Sequence, residues 1–171
     1  MPAAKAPIKI VEAEEADIER IGRLAARIWN EYYPDIISTA QISYMLDLMY
    51  SPLAIKKQMA ERQNFYLVIS DGQDIGFFSL SDQKRVYILH KLYIDTPSHH
   101  RGLGSRVMKE ITALTAGAGI KLTVNRQNYK AINFYFKNGF VIDQVADFDI
   151  GQGFIMNDFI MIRPPQYAGE H

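Results

Sequence analysis

The feature that most constrains this chain is the stretch LYIDTPSHHRGLGSRVM, from Leu92 to Met108. It begins as an apolar, β-prone segment, passes two glycines one residue apart, Gly102 and Gly104, and continues with helical periodicity. A strand, a glycine turn and a helix N-terminus together suit an anion, because first-turn N–H groups lack partners and glycine has no Cβ to hold a phosphate away. A tight turn without a ligand is the alternative, and the local sequence leaves both open.

The remaining patterns predict an alternation of strands and helices. Helical periodicity, with Pro, Gly and serine caps at the ends, predicts helices at about 15–33, Thr39–Tyr50, Pro52–Arg62, after Gly102 as far as Gly117, and Asn128–Lys137. Short apolar or alternating runs predict the strands IKIV, FYLVIS, IGFFSL, VYILHKLYI, IKLTV, FVIDQVADFDI and FIMNDFIMI. FYLVIS and IGFFSL should form a hairpin that turns near Asp71-Gly72.

These elements predict an α/β (α+β) fold in which helices flank a central mixed, mostly antiparallel sheet of about six to seven strands. We expect a single domain over residues 1–171, with a core from about 8 to 163 and a polar tail at 164–171.

Charge and composition exclude several classes of protein. Lys plus Arg and Asp plus Glu number 19 each, which argues against a dedicated nucleic-acid binder. The chain has no cysteine, so disulfides, thiolate metal sites and an acyl-cysteine intermediate are excluded, and we expect no metal. No apolar run reaches the roughly 18 residues of a membrane helix. The N-terminal MPAAKAPIKI has no apolar core typical of a secretory signal, so we expect a cytoplasmic protein that does not bind membranes.

Two familiar phosphate loops do not fit the glycine turn. Gly104 is followed by Ser105 rather than the Lys of a Walker A loop, and the dinucleotide fingerprint would need glycine where Val107 stands. The segment His99–Gly104 instead resembles the acyl-CoA loop, Q/R-x-x-G-x-G/A, of the GNAT superfamily of N-acetyltransferases. The departure is His99, where the family usually has Gln or Arg.

A second block, NRQNYKAINFYFKNGF, supports this resemblance. It is similar to the family's later motif N-x-x-A-x-x-F-Y-x-x-x-G-F, and it follows the loop after one predicted helix and one predicted strand. HKLYID and the C-terminal hairpin add a closer likeness to the PaiA-like polyamine acetyltransferases. The resemblance covers about 8–163 and implies an acyl-CoA-dependent transferase with acetyl-CoA as its cofactor.

The resemblance also implies which residues hold the cofactor. The backbone of Leu92, Tyr93 and Ile94 would pair with the pantetheine arm as an added strand. The pyrophosphate would lie in a cradle formed by His99, His100, Arg101, Gly102, Leu103, Gly104 and Ser105. Asn128 would bond the cofactor through its side-chain amide. Arg101 is either a charge-assisted contact or a solvated loop arginine.

Tyr135 is the main catalytic candidate, as the general acid that protonates the leaving thiolate; a core tyrosine is the alternative. The base is less defined, because the strand positions where some family members carry glutamate hold Ile88 and Thr123. His90 shares the face of Ile88 and is the candidate base. A core histidine, or amine that is already deprotonated in solution, are the alternatives. Without cysteine, direct transfer is the simplest mechanism.

On the acceptor side, the resemblance points to the early helices and the last hairpin. IWNEYYPD supplies aromatics and carboxylates that suit a cationic amine, and the hairpin adds three aspartates; the candidates are Trp29, Glu31, Tyr33 and Asp149, beside Asp147 and Asp158. Ordinary packing and solvation explain them equally well. We therefore expect acetyl transfer to a primary amine of a polyamine-like small molecule or a peptide, with a catalytically silent acyl-CoA sensing module as the alternative. A homodimer is left open.

Overall fold

The computed structural model describes residues 6–95 and 102–166. The described helices are α1 (Ile18–Tyr32), α2 (Thr39–Tyr50), α3 (Pro52–Ala60), α4 (Leu103–Leu114) and α5 (Tyr129–Lys137), with a 3-10 turn at Glu15–Asp17. The described strands are β1 (Ile8–Glu12), β2 (Asn64–Ser70), β3 (Gln73–Asp82), β4 (Val86–Ile94), β5 (Gly119–Asn125), β6 (Val141–Gly151) and β7 (Phe154–Arg163). Among these helices, none combines the length and apolar character needed to cross a membrane.

The strands form one seven-stranded sheet in the order β1-β2-β3-β4-β5-β7-β6. The β1–β2, β2–β3, β5–β7 and β6–β7 pairs are antiparallel, whereas β4 and β5 are parallel. The predicted mixed, mostly antiparallel sheet flanked by helices is therefore confirmed.

Local sequence explains where several elements begin and end. Ser51 Oγ accepts the N–H of Ala54 at the start of α3, and Pro52 occupies the first helical turn, where its missing N–H is no loss. The predicted end of this helix at Arg62 was two residues too late, because Arg62 has a φ of 65° and leaves the helical region. The β2–β3 hairpin turns at Asp71 and Gly72, both with positive φ, as predicted.

The internal contacts group the chain into two compact units. The first unit contains residues 1–80 and 91–107, and its core comes from α1, β2 and β3; fully buried members are Ile21, Ile28, Phe65, Leu67 and Phe77. Gly76 is needed there because a Cβ atom would collide with the carbonyl oxygen of Tyr93.

The second unit contains residues 81–90 and 108–171. Its core comes from α4, β5, α5 and β7; buried members are Met108, Ile111, Ile120, Phe140 and Met161. β6 is the edge strand, and none of its residues is fully buried. Because a single domain can also contain two such units, one N-acetyltransferase domain over 1–171 stays a prediction.

Candidate functional site

The glycine turn before α4 has a backbone that requires glycine. Gly102 has a φ of 72°, in the left-handed region, and no described atom lies within 4 Å of where its Cβ would be. α4 begins at the next residue, Leu103, and Gly104 lies in its first turn. His99, His100 and Arg101 lie outside the described residues. The described part of the turn therefore has the open backbone and helix N-terminus that suit an anionic group.

The end of β4 carries the residues predicted for the pantetheine arm. β4 pairs in parallel with β5 from Val86 to Ile88. Leu92, Tyr93 and Ile94 are the last three residues of β4. Their pairing with an extended ligand as an added strand stays a prediction.

An aromatic cluster in the first unit joins predicted acceptor and cofactor residues. Trp29 stacks on Tyr33 with ring centroids 4.2 Å apart, and the Tyr93 ring lies 5.6 Å from Trp29 and 6.3 Å from Tyr33. Tyr50 completes the cluster at 5.8 Å from Trp29. Trp29 and Tyr50 are buried, whereas Tyr33 and Tyr93 are half-buried, so only part of the cluster is accessible. Glu31, also predicted for the acceptor, is exposed on α1.

Lys91 was not predicted from the sequence as a site residue. Its side chain is buried, with Nζ 2.6 Å from Gln58 Oε1 and 2.8 Å from Gln63 Oε1. Nζ also lies 5.4 Å from the centre of the Tyr50 ring. Burial lowers the pKa of Lys91 to about 7. Alternation along β4 places Lys91 on the same face as Leu89 and Tyr93. This shared face is the sequence feature that could have identified Lys91 as a buried residue.

Tyr135 lies on α5, in the second unit. It is 8% exposed, and its ring lies 5.3 Å from Phe134 and 5.4 Å from Phe140. Burial raises the pKa of Tyr135 above its usual range, so the phenol keeps its proton at neutral pH. Asn128 is the N-cap of the same helix, where Oδ1 accepts the Ala131 N–H at 3.2 Å. Its predicted contact with the cofactor stays a prediction.

His90, the predicted base, is exposed on β4 rather than part of a core. Its Nε2 lies 2.6 Å from Ser81 Oγ. A hydroxyl partner can orient the ring and favour one tautomer, because a hydrogen bond at one ring nitrogen fixes which nitrogen carries the proton.

The three aspartates of the hairpin differ in their surroundings. Asp149 is exposed on β6, and Oδ1 accepts the N–H of Gly151 at 2.9 Å, a contact that shapes the turn. Asp147 pairs with Arg126 at 2.8 Å. Asp158, on β7, is 2% exposed. Burial raises the pKa of Asp158 to about 6, with Arg126 and the Thr123 hydroxyl acting in the opposite direction.

Comparison with known proteins supports the assignment of this fold. A family model described as an acetyltransferase (GNAT) domain matches residues 61–142. A spermidine N(1)-acetyltransferase of Thermoplasma acidophilum is 29% identical, over 87% of this chain and 95% of the relative. An uncharacterized N-acetyltransferase of Mycobacterium tuberculosis is 28% identical, over 86% and 97%. The crystal structure of a PaiA N-acetyltransferase from Thermoplasma acidophilum in complex with coenzyme A has a TM-score of 0.75 and 26% identity, covering 92% of this chain and 99% of that chain.

Together, the sheet, the glycine turn at the start of α4 and these relatives define an acyltransferase. Residues 61–142 match the GNAT acetyltransferase domain, and the relatives that cover most of this chain are N-acetyltransferases, one of them solved with coenzyme A; enzymes with this domain take acetyl-CoA as the acetyl donor.

Proposed function

We propose that this protein transfers an acetyl group from acetyl-CoA directly to a primary amine of a small cationic, polyamine-like acceptor. The observation that carries the proposal is the aromatic cluster of Trp29, Tyr33, Tyr50 and Tyr93, because it brings predicted acceptor aromatics against a residue of the predicted cofactor strand. Aromatic faces attract alkylammonium groups. The similarity to a spermidine N(1)-acetyltransferase supports the same class of acceptor.

The described residues fit the cofactor. Gly102 leaves its Cβ position open directly before α4, and Leu92–Ile94 form the end of the preceding strand, β4. The first turn of α4, with Leu103, Gly104 and Ser105, would hold the pyrophosphate, and Leu92–Ile94 the pantetheine. When bound, acetyl-CoA supplies the acetyl thioester that the amine attacks.

Tyr135 is the proposed general acid. Its buried phenol keeps a proton on Oη at neutral pH and can give it to the leaving thiolate. The proton of the ammonium group has two candidate acceptors. One is His90, exposed and bonded to Ser81; the other is Asp158, a buried carboxylate more basic than usual, beside Thr123. Thr123 occupies one of the strand positions where some family members carry glutamate.

The test is release of free CoA thiol from acetyl-CoA over an acceptor panel. The panel contains spermidine, a neutral primary amine, an acidic amine and a peptide with a free N-terminus, all at the same concentration. We expect spermidine to have the highest kcat/KM, and added salt to raise the KM of spermidine more than that of the neutral primary amine, because screening weakens contacts to a cation.

Three other outcomes would revise the proposal differently. Preference for the neutral or acidic amine would reject the polyamine class and leave acetyl transfer intact. Preference for the peptide would make the acceptor a protein N-terminus or lysine. If CoA raises the Tm but no acceptor releases thiol, the chain is an acyl-CoA-binding module without catalysis.

A further inference from the structure

The second unit contains a solvent-open cavity whose charged lining is entirely cationic. The cavity has a volume of about 450 Å³ and lies among α4, the C-terminal end of α5 and the end of β7. Its polar lining includes Lys109, Thr112, Lys137, Arg163 and Gln166, and no carboxylate among the described residues lines it. In a chain with 19 basic and 19 acidic residues, three cations at one cavity are a local concentration of charge.

Arg163 is the buried member of this group. It is 4% exposed, its Nη2 donates to Thr112 Oγ1 at 2.8 Å, and its guanidinium lies 5.3 Å from the Phe140 ring. Its Nε is buried and has no hydrogen-bond partner in the described part of the chain. Since arginine cannot deprotonate in a protein, a buried guanidinium without a counter-charge is costly.

Four other arginines of the described chain have carboxylate partners, three of them at part-buried carboxylates or guanidinium groups. Arg20 pairs with Asp74, Arg27 with Asp95 at 2.8 Å, and Arg126 with Asp147 at 2.8 Å. By contrast, Arg163, Lys109 and Lys137 have no ion pair within residues 6–95 and 102–166.

The C-terminal end of α5 does not need these cations to satisfy its backbone. The carbonyls of Phe134, Tyr135 and Phe136 already accept bonds from the chain after the helix, through Asn138, Gly139 and Phe140. The helix dipole still favours a cation such as Lys137, but the fold leaves the Nε of Arg163 without a partner.

We propose that this cavity is a binding site for a small multivalent oxyanion, a compound bearing phosphate or carboxylate groups, distinct from the predicted pyrophosphate turn at Gly102. The guanidinium of Arg163 would supply a fixed, uncompensated positive charge at the base of the site, and the two lysines would add mobile charges at its rim. The Gln166 side chain would add a donor to the polar lining, whereas the Thr112 hydroxyl accepts from Arg163 and donates to the Met108 carbonyl.

The test measures binding of two probes, tripolyphosphate and citrate, to the full chain at low ionic strength by thermal shift and calorimetry. CoA is present at saturation so that the glycine turn does not bind the probe. We expect a Tm rise of about 2–4 °C with at least one probe. The probe that binds tighter identifies the source of the oxyanion, as a phosphorylated compound or a polycarboxylate.

Variants locate the bound anion. Lys137→Met and Lys109→Met should each weaken binding by about tenfold, because each removes a charge-assisted contact. Arg163→Gln should abolish it. Lys84→Met removes the same charge from an exposed turn of the same unit that does not line the cavity, and should leave binding unchanged.

Two results would overturn the proposal. One is that neither probe binds at about 10 mM. This concentration is tenfold above a millimolar Kd, which is roughly the weakest affinity of a useful site. The other is an equal loss in Lys84→Met and Lys137→Met, which would mean nonspecific attraction to positive charge. If Arg163→Gln does not fold, the two lysine variants still decide between these results. The proposed function is tested separately, by the Tm rise that CoA alone causes. Absence of that rise would contradict the proposed function and not the oxyanion site.

Discussion

Lys91 in the first unit and Arg163 in the second are both strand cations that are only 4% exposed, yet their surroundings differ. Lys91 Nζ has two amide oxygens, at 2.6 and 2.8 Å, and two aromatic rings within 5.4 Å. Arg163 has one hydroxyl and one ring, a buried Nε without a partner in the described chain, and a cavity that contains two further cations.

The two side chains also respond differently to burial. Lys91 can lose its charge, and burial lowers its pKa to about 7, so the fold tolerates it without a carboxylate. Burial lowers the pKa of Arg163 as well, but the guanidinium stays charged at any physiological pH. Because only the lysine can lose its charge, the same burial is compatible with a structural role for Lys91, whereas Arg163 needs an anionic partner, which we propose is a bound ligand.

The largest effect is expected at Tyr135, the buried group proposed as the general acid. Tyr135→Phe removes one hydroxyl and keeps the ring between Phe134 and Phe140, so kcat should fall by about 10²- to 10⁴-fold, the usual contribution of general acid catalysis. Steady-state kinetics measure the fall, and the Tm rise caused by CoA should be unchanged. Tyr129→Phe is the matched control, since Tyr129 is 70% exposed on the same helix. Equal kcat values in the two variants would return Tyr135 to a packing role.

Lys91→Met should be the next largest effect, seen in stability. The folded pKa of Lys91 is about 7 and its ordinary value is 10.5, so between these pH values the unfolded chain binds more protons, and parent stability should rise with pH across this window. Lys91→Met should abolish that rise and raise the free energy of unfolding at pH 7 by about 1–4 kcal/mol. Urea unfolding from pH 6.5 to 10 measures both quantities. A destabilised variant that keeps the parent's slope would mean that Lys91 remains charged in the folded state.

The two candidate bases are separated by how their substitutions change the pH dependence of activity. If His90 accepts the ammonium proton, kcat/KM should rise through an imidazole-like step near pH 6.5 before any environmental shift. If Asp158 does, the step should lie at about 6, the pKa to which burial raises its carboxyl group. Either base should contribute roughly tenfold or more at neutral pH, because the free amine is scarce below its pKa.

His90→Ala and Asp158→Asn are compared across pH 5 to 9. The variant that loses the step identifies the base, and retention of the full profile in both would assign deprotonation to the solvent. Asp158 has a second signature, in stability. Its pKa in the folded state is raised. Its contribution to the free energy of unfolding is therefore present below about pH 4 and is lost as the pH rises through about 6. Asp158→Asn should remove that dependence even if the residue has no role in the reaction.

The smallest effect is expected from giving Arg163 an internal partner, as Lys91 has. Gln166→Glu places a carboxylate in the lining of the cationic cavity. An exposed ion pair contributes about 0.2–1 kcal/mol, so the Tm should rise slightly. The stabilisation by added oxyanion should be lost, because the new carboxylate occupies the same cations. Gln152→Glu, at the exposed turn between β6 and β7, is the matched control and should change neither quantity.

Much of the fold could be predicted from local sequence. Ser51-Pro52 starts α3 and Asp71-Gly72 turns the β2–β3 hairpin because caps and positive φ angles act over a few residues. The strand–glycine–helix junction at Gly102 could also be predicted, because the positive φ that requires glycine there is part of the local motif. The roles of Tyr135, His90 and the cofactor residues stay predictions, because they depend on bound partners.

The pair His90 and Lys91 marks the boundary between what sequence and tertiary structure determine. Alternation alone establishes that these neighbours lie on opposite faces of β4. It does not determine which face is covered, and from the sequence alone a core histidine is an equally valid interpretation of His90. Only the packing of the first unit, with Gln58, Gln63 and two aromatic rings around Nζ, buries the lysine and leaves His90 exposed. Burial depends on residues distant in sequence, and so does every shifted pKa that follows from it.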